Sequence, residues 1–158
     1  MIKRFMDILA SLFGLLLLSP VLVTVAMLVG VQMGSPILFR QVRPGLNGKP
    51  FQMVKFRTML DARDKSGNPL PDDQRLTRLG AVLRSTSLDE LPNLINVLRG
   101  QMSLVGPRPP TPDEVLLYDD WHQQRLKIMP GITGLWQISG RSDVPFDEMC
   151  LLDVYYIE

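Results

Sequence analysis

Cysteine and histidine each occur once in the 158 residues, as Cys150 and His122. A lone cysteine excludes an intrachain disulfide and any multi-cysteine metal site, and one cysteine with one histidine argues against zinc. A reducing compartment is compatible with this. Excess charge is missing too. Seventeen Lys and Arg against sixteen Asp and Glu leave +1, which argues against a nucleic-acid binder driven by bulk charge. Also absent is any charged residue from Ile8 to Phe39. What remains, 46% hydrophobic and 21% charged, suffices for one domain with a core.

The uncharged stretch is most apolar from Ile8 to Val31. It is too long for a signal-peptide core and no small-residue cleavage site follows, so it reads as a retained membrane segment. A straight helix over it would reach about 36 Å, enough to cross a bilayer. Ser19-Pro20, however, interrupts it, and each flank alone, Ile8–Leu18 and Val21–Val31, would reach only about 16 Å. Basic residues stand at both ends: Lys3 and Arg4 before, and Arg40, Arg43, Lys49, Lys55 and Arg57 after. A spanning helix would place only one end on the favoured cytoplasmic side. The expectation is therefore a helix-break-helix over residues 1–36 that enters and leaves by one face. Ser19 is expected to help satisfy the backbone groups that Pro20 frees.

Residues 37–158 are expected to form a small cytosolic domain. Pro36–Gln41 and Phe51–Arg57 flank a Pro/Gly/Asn turn and predict a short β-hairpin, with Lys55 and Arg57 on one face. Asp61 to Asp73 reads as a loop. From Asp73 to Ser85, Leu76, Leu79, Val82 and Leu83 share one side of a predicted helix, which either lies in the membrane interface or packs on the core. Leu88, Leu91, Leu94, Ile95 and Leu98 predict another helix, ended by Gly100. Asp89 and Glu90 would lie in its first turn, where anions are favoured, and Ser87 with Glu90 fits a capping box. Gly106-Pro107-Arg108-Pro109 predicts a stiff loop presenting Arg108 for bidentate contact with a phosphate or carboxylate. A helical stretch is predicted from Asp113 to Met129, with His122 as a surface or capping residue. Pro130–Arg141 predicts a second glycine-rich segment, either a turn or a cradle for an anion.

Five motifs together resemble the bacterial sugar transferase family, the monotopic phosphoglycosyl transferases. They are Lys55-Phe56-Arg57-Thr58-Met59, Ser87-Leu88-Asp89-Glu90-Leu91-Pro92, Gly106-Pro107-Arg108-Pro109, Pro130-Gly131-Ile132-Thr133-Gly134 and Asp153-Val154-Tyr155-Tyr156. The resemblance implies a mainly α fold with a short hairpin, a re-entrant membrane helix broken at Ser19-Pro20, interfacial amphipathic helices and a small catalytic domain. It implies transfer of a sugar-1-phosphate from a UDP-sugar to polyprenyl phosphate, with Mg²⁺ and release of UMP. On this resemblance Asp89 is the nucleophile and Glu90 helps hold the metal with it, while Lys55, Arg84, Arg108 and Arg141 contact phosphates and nucleotide. The implied location is the cytoplasmic face of the bacterial inner membrane, among membrane lipid, with a homodimer left open and nucleic acid excluded. Family members continue for some tens of residues past the end of this chain, so a shortened form is expected. Two rivals stand beside this reading: a membrane-anchored scaffold without activity, and a metal-dependent pyrophosphohydrolase.

Overall fold

A computed structural model describes residues 2–139 and 145–157. Its elements in chain order are α1 (Ile2–Leu17), α2 (Ser19–Met33), β1 (Leu38–Pro44), β2 (Pro50–Phe56), α3 (Asp72–Arg75), α4 (Arg78–Ser85), α5 (Asn93–Leu98), β3 (Ser103–Val105), α6 (Pro112–Val115), β4 (Gly131–Thr133), α7 (Leu135–Ser139) and α8 (Phe146–Ile157). Short 3₁₀ turns occupy Leu46–Gly48, Leu88–Glu90 and His122–Lys127. The protein is thus mainly helical with short sheets: a β1–β2 hairpin and a β3–β4 pair. The chain packs as two compact units, one of residues 1–15, 41–53 and 93–158, the other of residues 16–40 and 54–92. These are divisions by packing and do not test the expected division at residue 36 into a membrane segment and a cytosolic domain.

The N-terminal apolar stretch breaks where proline requires it. Pro20 lacks the N–H that would continue the helix, so α1 ends at Leu17 and α2 begins at Ser19. The Ser19 hydroxyl donates to the Leu16 carbonyl at 2.7 Å, satisfying one of the freed acceptors. The chain bends by 62° at this break, and among the described residues no single helix is long and apolar enough to cross a membrane.

In the second unit, Val25, Val29 and Met33 recur every four residues along α2, forming a stripe that packs with Phe56 of β2 and Leu83 of α4. Leu79 joins this core while Val82 is exposed, so α4 turns Leu79 and Leu83 inward to protein. The single helix expected from Asp73 to Ser85 is two. Thr77 adopts extended angles and its Oγ1 accepts the Gly80 N–H at 2.9 Å, an N-cap that starts a new helix.

In the first unit, Phe51, Met53, Val97 and Met102 form the core, joined by Leu104 and Ile132. The parallel pairing of β3 with β4, in register Ser103↔Gly131 and Val105↔Thr133, was read from sequence only as two glycine-rich loops. The glycines are what the sheet needs. A Cβ on Gly131 would stand 2.2 Å from the Gly106 nitrogen, so only glycine lets the two backbones approach. α1 is polar on its buried side. Asp7 accepts from Ser103 Oγ at 2.8 Å and from the Leu104 N–H at 3.1 Å, and Arg4 donates to the Val97 and Leu98 carbonyls at 2.7 and 3.2 Å, capping α5.

The helix expected across 113–129 is likewise interrupted. α6 is one turn started by a Thr111/Glu114 capping box, and the 3₁₀ turn at His122–Lys127 follows separately. His122 is buried rather than on the surface. Its ring lies between Trp121 and Phe146, with centroids 3.9 and 5.2 Å away, and its Nδ1 accepts the Asp119 N–H.

Candidate active site

Asp89 is 4% exposed, the most buried acid of the second unit, and the route by which the chain buries it differs from the expected one. Ser87 adopts left-handed angles (φ 58°, ψ 16°) and its side chain makes no capping bond, because a capping serine needs extended angles to reach the N–H groups ahead of it. The expected capping box is therefore not formed. Leu88–Glu90 is a single 3₁₀ turn, and the α-helix begins only at Asn93, after Pro92. The helix-dipole argument for Asp89 and Glu90 falls with this. What acts on Asp89 is first its burial, and against that the charge of Lys55, a hydrogen bond from its own backbone N–H and the charge of Arg84.

Burial pushes the Asp89 carboxyl above its ordinary 3.8, while the positive charges of Lys55 and Arg84 pull against that rise. β2 supplies Lys55, whose ammonium lies 6.0 Å from the Phe39 ring centroid. α4 supplies Arg84, whose Nε donates to Thr58 Oγ1 at 3.1 Å. Thr58 is buried just beyond β2, and its carbonyl also accepts the Thr77 hydroxyl and N–H, each at 3.3 Å. A Cβ on Gly80 would lie 1.9 Å from that carbonyl oxygen. Gly80 therefore lets α4 approach Thr58, and Thr58 orients Arg84. Sequence reasoning quoted Thr58 within the Lys55–Met59 motif without giving it a role and missed Gly80, although a glycine inside an amphipathic helix is a recognisable sign of close backbone approach.

A carboxylate buried beside a lysine and an arginine is the arrangement needed to attack an anionic phosphorus, since the cations offset the repulsion between nucleophile and substrate. Among the described residues no group of three or more His, Cys, Asp and Glu forms a metal cage. Magnesium does not require one. It is commonly held by one or two carboxylates together with substrate phosphates, and Asp89 with the adjacent Glu90 fits that donor set.

The remaining candidates lie elsewhere. Arg108 belongs to the first unit, exposed on the loop after β3, with its guanidinium carbon 5.9 Å from the Trp136 ring centroid. Its loop is stiff, as expected: the Gly106 N–H donates to the Thr133 carbonyl at 2.9 Å and the Gly131 N–H to the Pro107 carbonyl at 2.8 Å. Arg141 lies outside the described residues.

A family model described as bacterial sugar transferase matches residues 1–158. The chain belongs to the bacterial sugar transferase family. It is 47% identical over 157 residues to the uncharacterized sugar transferase EpsL of Bacillus subtilis, covering 99% of this chain and 78% of that protein. It is 42% identical to the exopolysaccharide production protein ExoY of Sinorhizobium fredii, over 99% of this chain and 76% of that one. A longer relative from Klebsiella pneumoniae, named UDP-glucose:undecaprenyl-phosphate glucose-1-phosphate transferase, is 47% identical over 143 residues, covering 87% of this chain and 31% of the relative. In this family member the Ser87–Pro92 motif is thus the segment that buries an acid within the influence of two cations.

Proposed function

We propose that this sugar transferase family member moves a sugar-1-phosphate from a UDP-sugar to polyprenyl phosphate through a covalent intermediate on Asp89. The observation that carries the reading is the burial of Asp89 with the charges of Lys55 and Arg84 bearing on it. An Asp89 carboxylate oxygen attacks the sugar-bearing phosphorus of the donor, and the bond from that phosphorus to the bridging oxygen breaks. UMP leaves with the bridging oxygen and the electron pair. A phosphate oxygen of the lipid then attacks the same phosphorus, the acyl-phosphate bond to Asp89 breaks, and the carboxylate is restored. Lys55 and Arg84 offset phosphate charge at Asp89, and by resemblance Arg108 and Arg141 are further candidates for nucleotide and phosphate contacts. Glu90 and Asp89 would hold Mg²⁺, which when bound neutralises phosphate charge and stabilises the departing UMP.

The acceptor is a lipid, and α1 has the surface of a helix immersed in lipid. Its buried side chains are Asp7 and Ser11, while Phe5, Leu9, Leu12, Phe13 and Leu16 are each at least half exposed. Such an inverted helix is unfavourable in water, where apolar surface is driven inward. With the break at Ser19-Pro20, this supports a re-entrant helix in a membrane; by family resemblance that is the bacterial plasma membrane, with the catalytic residues on the cytoplasmic side.

The test is intact-mass measurement after incubation with Mg²⁺ and a panel of UDP-sugars without acceptor. A phosphosugar adduct mapped to Asp89, discharged by polyprenyl phosphate, is the expected result. Turnover surviving Asp89→Asn would refute the nucleophile, and sustained UMP release without lipid would identify a pyrophosphohydrolase instead.

A further inference from the structure

The segment that presents Arg108 is poor in hydrogen-bond donors. Pro107, Pro109 and Pro110 have no N–H, so from 107 to 110 only Arg108 has a backbone donor, and the loop offers its surroundings mostly carbonyls. Donors must therefore come from elsewhere in the chain. On the far side of Arg108, Arg43 Nη1 donates to the Pro109 carbonyl at 3.1 Å. Arg43 is 7% exposed, and Gln41 Oε1 accepts from its Nε and Nη2 at 3.2 and 2.9 Å, which orients the guanidinium fork. On the near side, the Tyr156 hydroxyl donates to the Val105 carbonyl at 3.1 Å, and the Lys3 ammonium reaches the same oxygen at 3.0 Å.

Tyr156 can serve this purpose because α8 is itself anchored. One turn earlier, Asp153 is 1% exposed and receives Arg125 Nε at 2.9 Å and Nη2 at 2.6 Å. Arg125 also donates to the Tyr118 hydroxyl at 2.6 Å. The pair holds the helix, and the tyrosine three residues on falls near the same face. The Asp153–Tyr156 motif, which the transfer chemistry leaves without a role, thus ends on the loop that carries Arg108.

We propose that Arg43 and Tyr156 are positioning residues that clamp the 105–109 loop from its two sides and so set the direction in which Arg108 meets a nucleotide phosphate. The inference rests on the reading of Arg108 as a phosphate contact. A guanidinium gains from bidentate geometry only when it is aimed, so loosening its base weakens phosphate binding and leaves contacts to the nucleoside intact.

The probe is UMP, titrated calorimetrically into the full chain in detergent with Mg²⁺, with uridine measured by competition. Tyr156→Phe removes one hydroxyl; Arg43→Lys keeps the charge and loses the fork. The expected result is UMP affinity lowered about 3-fold by the first, since Lys3 still holds Val105, and about 10-fold by the second, with uridine affinity unchanged. In an Arg108→Ala background neither substitution should weaken UMP further. UMP affinity unchanged in both variants, an equal loss for uridine, or additive losses in the Arg108→Ala background would overturn the clamp alone. Unchanged UMP affinity in Arg108→Ala itself would remove the phosphate role of Arg108, and the clamp with it.

Discussion

Gly80→Ala sets two physical effects of opposite sign against each other at the candidate site. In an exposed helix interior, alanine for glycine would stabilise by about 1 kcal/mol. At this position the new Cβ would meet the Thr58 carbonyl oxygen at 1.9 Å, its carbon at 2.8 Å and its Cα at 3.0 Å, all of them backbone. Thr58 and α4 must separate by more than an ångström, an overpacking cost of about 1–3 kcal/mol. The same separation stretches the Thr77 hydroxyl contact with the Thr58 carbonyl, now 3.3 Å, and the Arg84 contact with Thr58 Oγ1, now 3.1 Å. Each is worth about 0.5–1.5 kcal/mol. The clash wins, with a net loss of about 1–5 kcal/mol, or a thermal midpoint about 3–15 °C lower for a chain of this size. Because Arg84 moves with α4, kcat/KM should fall about 10–100-fold even below the melting transition. Thermal unfolding in detergent and initial rates of UMP release measure the two effects. A midpoint that rises, as helix propensity alone dictates, would show that α4 does not depend on close approach to Thr58.

Four further outcomes are expected. The acidic limb of kcat/KM should lie above the ordinary aspartate range, because burial keeps Asp89 protonated to higher pH, and Lys55→Met should move that limb higher still by removing a charge that favours the carboxylate. The same raised carboxyl contributes stability at low pH that is lost as pH rises through its folded value, so Asp89→Asn should melt no lower than the parent at neutral pH while losing activity; a clear drop would contradict the burial argument. Arg125→Met should cost about 3–5 kcal/mol by stranding the buried Asp153 charge, whereas Arg125→Met with Asp153→Leu should recover most of it, as paired thermal melts would show. Cysteines placed at positions 3 and 40, in a chain whose Cys150 is buried, should react with an impermeant thiol reagent from the same side of oriented vesicles; opposite sides would dispose of the re-entrant reading.

Features governed by covalent geometry were legible in the sequence. Pro20 has no N–H whatever surrounds it, so the helix break at Ser19-Pro20 could be read directly, as could the stiffness of the Pro107–Pro110 loop. The hairpin also followed from its turn residues, and the stop at Gly100 from a positive φ of 77° that glycine tolerates. The acidic pair was found as a motif, yet its local structure was misread. Periodicity joined Leu88 to Leu98 in one helix, and only the chain folded around it holds Ser87 left-handed and delays the α-helix to Asn93. Lys3 and Arg4 were read only as charges favouring the cytoplasmic side, and nothing local shows that Arg4 also caps α5 and Lys3 reaches Val105, contacts about a hundred residues away in sequence.

The sequence by itself determined which groups could do the chemistry and where the backbone had to break, because those are properties of single residues and their immediate neighbours. Tertiary structure alone decided how deeply Asp89 is buried, that Lys55 and Arg84 bear on it, that Thr58 and Gly80 orient Arg84, and that β3 pairs with β4. Burial and electrostatic partnership depend on segments distant in sequence meeting in space, and no local pattern records which segments those are.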